Sequence, residues 1–175
     1  PIQGAPSKGP LLTLAAVGTP YVSCFEMLAL AKCGRPAGYL ACQERIWGGM
    51  LDCGATSFWE AWDDRKKDSV AKYEFYKRPF GLSLCHAWGA GPVYLLGKYY
   101  LGVSPTAPGF ATFDVRPDLG SLSEMEGTVP MPHGDVHVKV GGGAVSVTAT
   151  VPGGTLYWQG KTYPLPANET VTVTD

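Results

Sequence analysis

Around Ser104–Pro105 the spacing of apolar residues changes from helical to strict alternation, so the chain has to combine a helical part with a sheet part. Before that point Tyr21, Phe25 and Leu28 recur at helical intervals, with Val22 and Ala29 beside them. Pro20 suits a first helical turn behind Thr19 as N-cap, and Gly34 with Pro36 marks the stop. A second helix is expected with Tyr39, Cys42 and Ile46 on one face, ending at Gly48-Gly49. A connection this short predicts an antiparallel helical hairpin. Residues 49–82 read as irregular, with a solvated charge run from Asp63 to Asp68. A third helical pattern over 83–102, capped by Ser83, is expected to kink near Gly89–Gly91 because Pro92 lies inside it.

After the change, residues 110–115, Val136–Val140 and Val145–Val151 alternate, and short strands are expected around 156–158 and 171–173. Gly141-Gly142-Gly143, Pro152-Gly153-Gly154 and Gly160 punctuate them as turns, which predicts an antiparallel β-sandwich. The expected division is therefore 1–104 helical and 105–175 sandwich. Three helical segments do not close a helical domain by themselves, so the first part reads as the tail of a larger helical array.

Composition narrows the partners. Fourteen basic residues stand against fifteen acidic ones, a net charge of -1, so the basic stripe of a nucleic-acid binder is missing. No apolar run reaches membrane-spanning length, so neither nucleic acid nor membrane is expected as a partner. The charged fraction is 17%, below the usual level of about 25%, and five Trp, nine Tyr and six Phe have to be covered. The opening PIQGAPSKGP reads as an irregular arm of a longer or processed protein. The cysteines, Cys24, Cys33, Cys42, Cys53 and Cys85, include no CxxC, so zinc is not expected and they read as reduced, mostly buried thiols. That leans towards the cytoplasm and leaves a secreted or periplasmic location open. His133 and His137 fall in the sandwich and are not expected to bind metal; no cofactor is implied.

The chemistry-bearing stretch is Trp47-Gly48-Gly49-Met50, followed by Gly54-Ala55-Thr56-Ser57-Phe58-Trp59-Glu60-Ala61-Trp62. A carboxylate between indoles suits a sugar: the rings cover the apolar face of a pyranose, and the carboxylate takes its hydroxyls. Desolvation by such neighbours also makes a glutamate a better base near neutrality. The plainer reading is an ordinary helix start with one exposed Glu.

Three ordered stretches resemble the α-L-rhamnosidases of glycoside hydrolase family 78. Gly54-Ala55-Thr56-Ser57-Phe58-Trp59-Glu60 is similar to that family's Gly-Ala-Thr-x-x-Trp-Glu motif. Ser83-Leu84-Cys85-His86-Ala87-Trp88-Gly89 is similar to its Ser-x-x-His segment. Pro108-Gly109-Phe110, Val115-Arg116-Pro117 and Gly127 to Gly134 resemble the opening of its C-terminal sandwich. The resemblance runs from about residue 19 to about 140. It implies the last helices of an (α/α)6 barrel followed by a β-sandwich. It makes Glu60 the general base of an inverting glycosidase that removes terminal α-L-rhamnose, with the general acid upstream of this chain.

The implied partners are a rhamnose-containing glycoside or polysaccharide and the remainder of the barrel. His86 would meet a rhamnose hydroxyl, or else cap or pack at a helix start. Trp59 and Trp47 would line the pocket or fill the barrel rim, and Thr56 would brace the loop. Cys85 is not needed as a nucleophile. The rival readings are a non-catalytic carbohydrate-binding sandwich using Tyr157 and Trp158, a structural fragment, and another (α/α)6 enzyme such as a glucuronyl hydrolase or trehalase relative.

Overall fold

The computed structural model describes residues 17–34, 36–63 and 81–175. The opening arm and residues 64–68 of the charge run lie outside the described residues. The chain forms two compact units, 1–92 and 93–175.

In the first unit a short strand β1 (Val17–Gly18) leads into α1 (Pro20–Lys32), with Pro20 at its start. Thr19 occupies the N-cap position in extended geometry, although its side chain makes no capping bond. Cys33 ends the helix and Gly34 follows at φ +63°, the left-handed geometry that a glycine adopts without a Cβ penalty. Helix α2 (Pro36–Gln43) packs on α1, and Gly38 lets the Leu30 side chain approach. The face of α1 that is buried carries Pro20, Ser23, Met27 and Leu30; Tyr21, Val22 and Phe25 are exposed. The helix is apolar nearly all round, so periodicity alone does not choose the inward side.

The expected stop at Gly48-Gly49 is replaced by continuation. Helix α2 runs through a π-helical turn (Glu44–Gly48) into α3 (Gly49–Asp52). Gly49 serves close packing: a Cβ there would sit 2.6 Å from the Trp62 ring, so the glycine lets that indole lie against the helix. Tyr39, Cys42 and Ile46 are buried together, as their spacing predicts. Strand β2 (Trp62–Asp63) pairs antiparallel with β1. Asp63 is therefore buried strand, not the start of a solvated loop.

The expected helix from Ser83 is also corrected. Residues 81–86 are not helical; a 3₁₀ turn covers Ala87–Gly89, and α4 begins only at Gly91 and runs to Leu95. Pro92 sits in the first turn of α4, where its missing N–H removes no helical bond, so it starts a helix instead of kinking one.

In the second unit a π-helical turn (Leu96–Tyr100) precedes two four-stranded sheets. The strands are β3 (Val103–Pro105), β4 (Phe113–Val115), β5 (Glu124–Met131), β6 (Gly134–Gly141), β7 (Ala144–Ala149), β8 (Gly154–Trp158), β9 (Lys161–Leu165) and β10 (Thr170–Thr174). One sheet has the order β10-β7-β6-β5 and is antiparallel; the other has the order β3-β4-β8-β9 and is mixed. The mixing corrects the all-antiparallel expectation. Strand β4 runs parallel to β8, with Phe113 opposite Gly154 and Val115 opposite Leu156.

Alternation buries Val136, Val138, Val140, Val145, Val147 and Ala149 from one sheet against Phe113, Val115, Leu156 and Leu165 from the other. Each fully buried valine contributes about 1.5–3 kcal/mol. Two tight hairpins fix the register. Gly142 and Gly143 turn β6 into β7 at φ +59° and +76°, and Gln159 and Gly160 turn β8 into β9 at +48° and +76°. Both are two-residue turns with left-handed central residues, whose twist matches that of the strands.

Gly102 is the tightest backbone crossing. At φ +75°, a Cβ there would lie 2.0 Å from the Arg116 carbonyl oxygen. Gly102→Ala should therefore destabilise the sandwich unit by about 2–4 kcal/mol in urea unfolding. Gly142→Ala, with positive φ but open space around it, should cost about 1 kcal/mol. Equal losses at the two positions would show that collision with Arg116 adds nothing.

Candidate active site

The glycine that opens the Gly54-Ala55-Thr56 motif is a helix stop. It adopts φ +82°, its N–H donates to the Leu51 carbonyl at 2.8 Å, and the Ala55 N–H reaches back to Met50 at 3.0 Å. This double closure ends α3, and the chain then bends at Thr56 and Ser57. Residues 57–60 then run antiparallel to 83–86. The Glu60 N–H donates to the Ser83 carbonyl at 2.9 Å, and the His86 N–H donates to the Phe58 carbonyl at 2.7 Å. The Ser57 hydroxyl adds a bond to the Leu84 carbonyl. Two stretches that look separate in sequence are thus one paired element.

Glu60 sits within that pairing and is only 6% exposed. Its carboxylate Oε2 accepts the Ser83 backbone N–H at 3.0 Å, and its carbonyl accepts the Trp88 indole N–H at 3.2 Å. The backbone N–H fixes one carboxylate oxygen in space. Among the described residues Glu60 is thus a held, largely enclosed carboxylate, not the exposed Glu of an ordinary helix start.

His86 is half-exposed, and its ring lies 4.4 Å from that of Trp88 at 44°. It also stands at the cap of the 3₁₀ turn, with no side-chain capping bond. Trp47 and Trp59, which the sequence places along a sugar pocket or in a barrel rim, are buried at 6% and 3%. The Trp47 indole N–H donates to the Gly89 carbonyl at 2.7 Å, and Trp59 packs on Trp62 at 6.1 Å. The described residues give both indoles packing surroundings, not a free ring face. The aromatic surface near Glu60 comes instead from Trp88, 40% exposed, and from Tyr21, which stacks on it at 5.6 Å. Sequence reading missed Tyr21 in this role because its spacing assigns it to a helix face and says nothing of which side turns outward. Thr56 is exposed.

All five cysteines are free, and only Cys42 is buried; Cys33 and Cys85 are exposed, which corrects the mostly buried expectation. Burial and the neighbouring Glu26 carboxylate push the Cys42 thiol up to about 11. His137 bonds to Thr128 Oγ1 and Glu126 Oε1 on the open face of its sheet. Among the described residues no group of His, Cys, Asp and Glu is arranged to hold a metal ion, and no helix is long and apolar enough to cross a membrane.

The binding reading for the sandwich meets a specific obstacle. Tyr157 and Trp158 are consecutive strand residues and so point to opposite faces. The Arg116 guanidinium covers the Tyr157 ring at 3.2 Å, and Trp158 packs against the core. The two rings form no coplanar platform. A depression of about 520 Å³ in this unit is lined by Glu124, Glu126, Lys139 and Ser146, and none of the predicted site residues borders it.

Comparisons with known proteins fit this architecture. Residues 102–157 match the family model described as bacterial alpha-L-rhamnosidase C-terminal domain. The sheet unit is therefore of the C-terminal domain type found in bacterial rhamnosidases. Among solved structures, the family 78 glycoside hydrolase rhamnosidase of Bacillus sp. GL1 is 34% identical over 79% of this chain and 15% of its own, with a TM-score of 0.63. The native α-L-rhamnosidase of Aspergillus terreus is 17% identical over 86% of this chain and 19% of its own, again at 0.63. A putative kojibiose phosphorylase from human microbiome is 11% identical over 94% of this chain and 20% of its own, at 0.51. The last two speak to fold alone. No curated protein matches. The chain resembles the C-terminal portion of the α-L-rhamnosidases of glycoside hydrolase family 78. It spans only 15% and 19% of the two rhamnosidases it matches.

Gly89 is the residue on which the two paired segments close. A Cβ there would lie 2.8 Å from the Trp59 carbonyl oxygen and 3.1 Å from Phe58 Cβ. Gly89→Ala should part the segments and speed amide hydrogen exchange at Glu60 and His86 by about tenfold or more. Unchanged protection would show that the pairing does not depend on that approach.

Proposed function

We propose that this chain is the C-terminal part of an inverting α-L-rhamnosidase, a hydrolase of carbohydrate metabolism that removes terminal α-L-rhamnose from glycosides or polysaccharides. The first unit supplies the last helices of an (α/α)6 six-hairpin barrel, and Glu60 is its general base. The observation that carries the reading is the hold on Glu60. The motif that resembles the family's base motif is paired, bond by bond, with the segment that resembles its Ser-x-x-His motif, and the Ser83 N–H orients the carboxylate.

In this reaction Glu60 takes a proton from a water that attacks the anomeric carbon opposite the leaving group. A second carboxyl group, on a part of the barrel preceding these residues, protonates the departing oxygen. The two carboxyls of an inverting pair stand about 6.5–9.5 Å apart, which leaves room for the water. His86, half-exposed beside Trp88, meets a rhamnose hydroxyl. Trp47 and Trp59 brace the loop from behind. The remainder of the barrel supplies the opposite wall, so the partners are that barrel and the rhamnoside. Neither nucleic acid nor membrane takes part.

Two measurements test this. In the full-length protein, Glu60→Gln should lower kcat on an aryl rhamnoside by roughly 10²- to 10⁴-fold with little change in KM. A loss below about tenfold, equivalent to about 1.4 kcal/mol, excludes a general-base role. The 175 residues alone should give no turnover above background, since they hold one carboxyl of the pair. Measurable hydrolysis would place the acid within this chain.

A further inference from the structure

The described residues contain a tryptophan whose surroundings differ from those of the other indoles in its unit. Trp47, Trp59 and Trp62 are buried, as fillers of a core should be. Trp88 is 40% exposed, yet its indole N–H is directed inward to the Glu60 carbonyl at 3.2 Å. Its ring meanwhile lies 4.4 Å from the ring of His86 and 5.6 Å from that of Tyr21. One side chain therefore touches the backbone of the proposed base and the ring of the proposed sugar-contacting histidine.

We propose that Trp88 is a positioning residue that holds Glu60 by its peptide and His86 by its ring, coupling the two halves of the site. The inference rests on the general-base reading of Glu60. The Glu60 backbone is secured at its N–H by the Ser83 carbonyl and at its C=O by Trp88, while the carboxylate is secured by the Ser83 N–H. Loss of the indole N–H loosens the Glu60 main chain on its carbonyl side, so the Cα that carries the carboxylate is freer to shift. Loss of the ring removes the wall that fixes the His86 imidazole. The two consequences separate kinetically, because the first acts on the attacking water and the second on the bound sugar.

The test uses the full-length protein, an aryl α-L-rhamnoside and two backgrounds, wild type and Glu60→Gln. Trp88→Phe keeps a ring and removes the donor. It should lower kcat roughly 5- to 30-fold, the range expected for one hydrogen bond to a largely buried carbonyl, with KM within about twofold. Trp88→Ala should lower kcat similarly and also raise KM about tenfold, because His86 loses its support. In the Glu60→Gln background Trp88→Phe should add less than about a twofold loss, since there is no base left to misplace. An equal loss in both backgrounds marks a merely structural effect and overturns the proposal. So does wild-type kcat in Trp88→Phe. If Glu60→Gln itself stays active, it is the general-base reading that falls. Should Trp88→Phe not fold, Trp88→Tyr, which keeps a large ring without the indole donor, is read by the same criteria.

Discussion

Two backbone strips, 57–60 and 83–86, hold each other through hydrogen bonds from Glu60 to Ser83 and from His86 to Phe58. The site depends on this pairing. A carboxylate on a free loop samples many orientations; one that accepts the N–H of the very residue its own N–H bonds has its position set by the main chain. Trp47, in the π-helical turn between α2 and α3, donates to the Gly89 carbonyl just beyond the second strip, so the helical layer and the loop layer share one anchor. The local arrangement around Glu60 is thus built mainly from peptide groups, which no rotamer change can move.

The sandwich unit rests on a simpler device. Valines alternate inward along β6 and β7 and meet Phe113, Val115 and Leu156. Outward, the same strands carry His137, Lys139, Ser146 and Thr148, which pair with Glu126, Thr128, Thr170 and Thr172. Lys139 holds the Glu126 carboxyl below its usual range, but both groups stand in water, where such pairs add little. Stability comes from the inner face.

Sequence reading recovered what periodicity encodes and missed what tertiary contact decides. Strands β6 and β7 were legible because their alternation is clean and a glycine turn separates them. Strands β5 and β9 were not, since Gly127 and Pro130 interrupt one and Pro164 the other; both are edge strands, where a missing N–H is tolerated. The parallel β4–β8 pair leaves no local trace. In the helical unit, Gly48-Gly49 reads as a stop on propensity, yet the approach of the Trp62 ring makes Gly49 a packing residue inside a continuing helix. For the proposed site, the sequence offers the motif residues Glu60 and His86 as candidates. That their segments pair, that Trp47 and Trp59 face inward and that Trp88 and Tyr21 face outward depended on contacts between residues far apart in the chain.

The helix stop at Gly54 has a consequence for how this site tolerates change in length. From that left-handed residue the chain bends at Thr56 and Ser57 and then pairs from Phe58 to Glu60 with the facing strip, where successive side chains project to alternate sides. The interval between Gly54 and Glu60 therefore works as a ruler as well as a tether. One residue more or less would leave the helix end and the facing strip where they are, yet carry the acidic group to the opposite side of its own backbone. Spacing within the motif is under as strict a geometric constraint as the identity of its last residue.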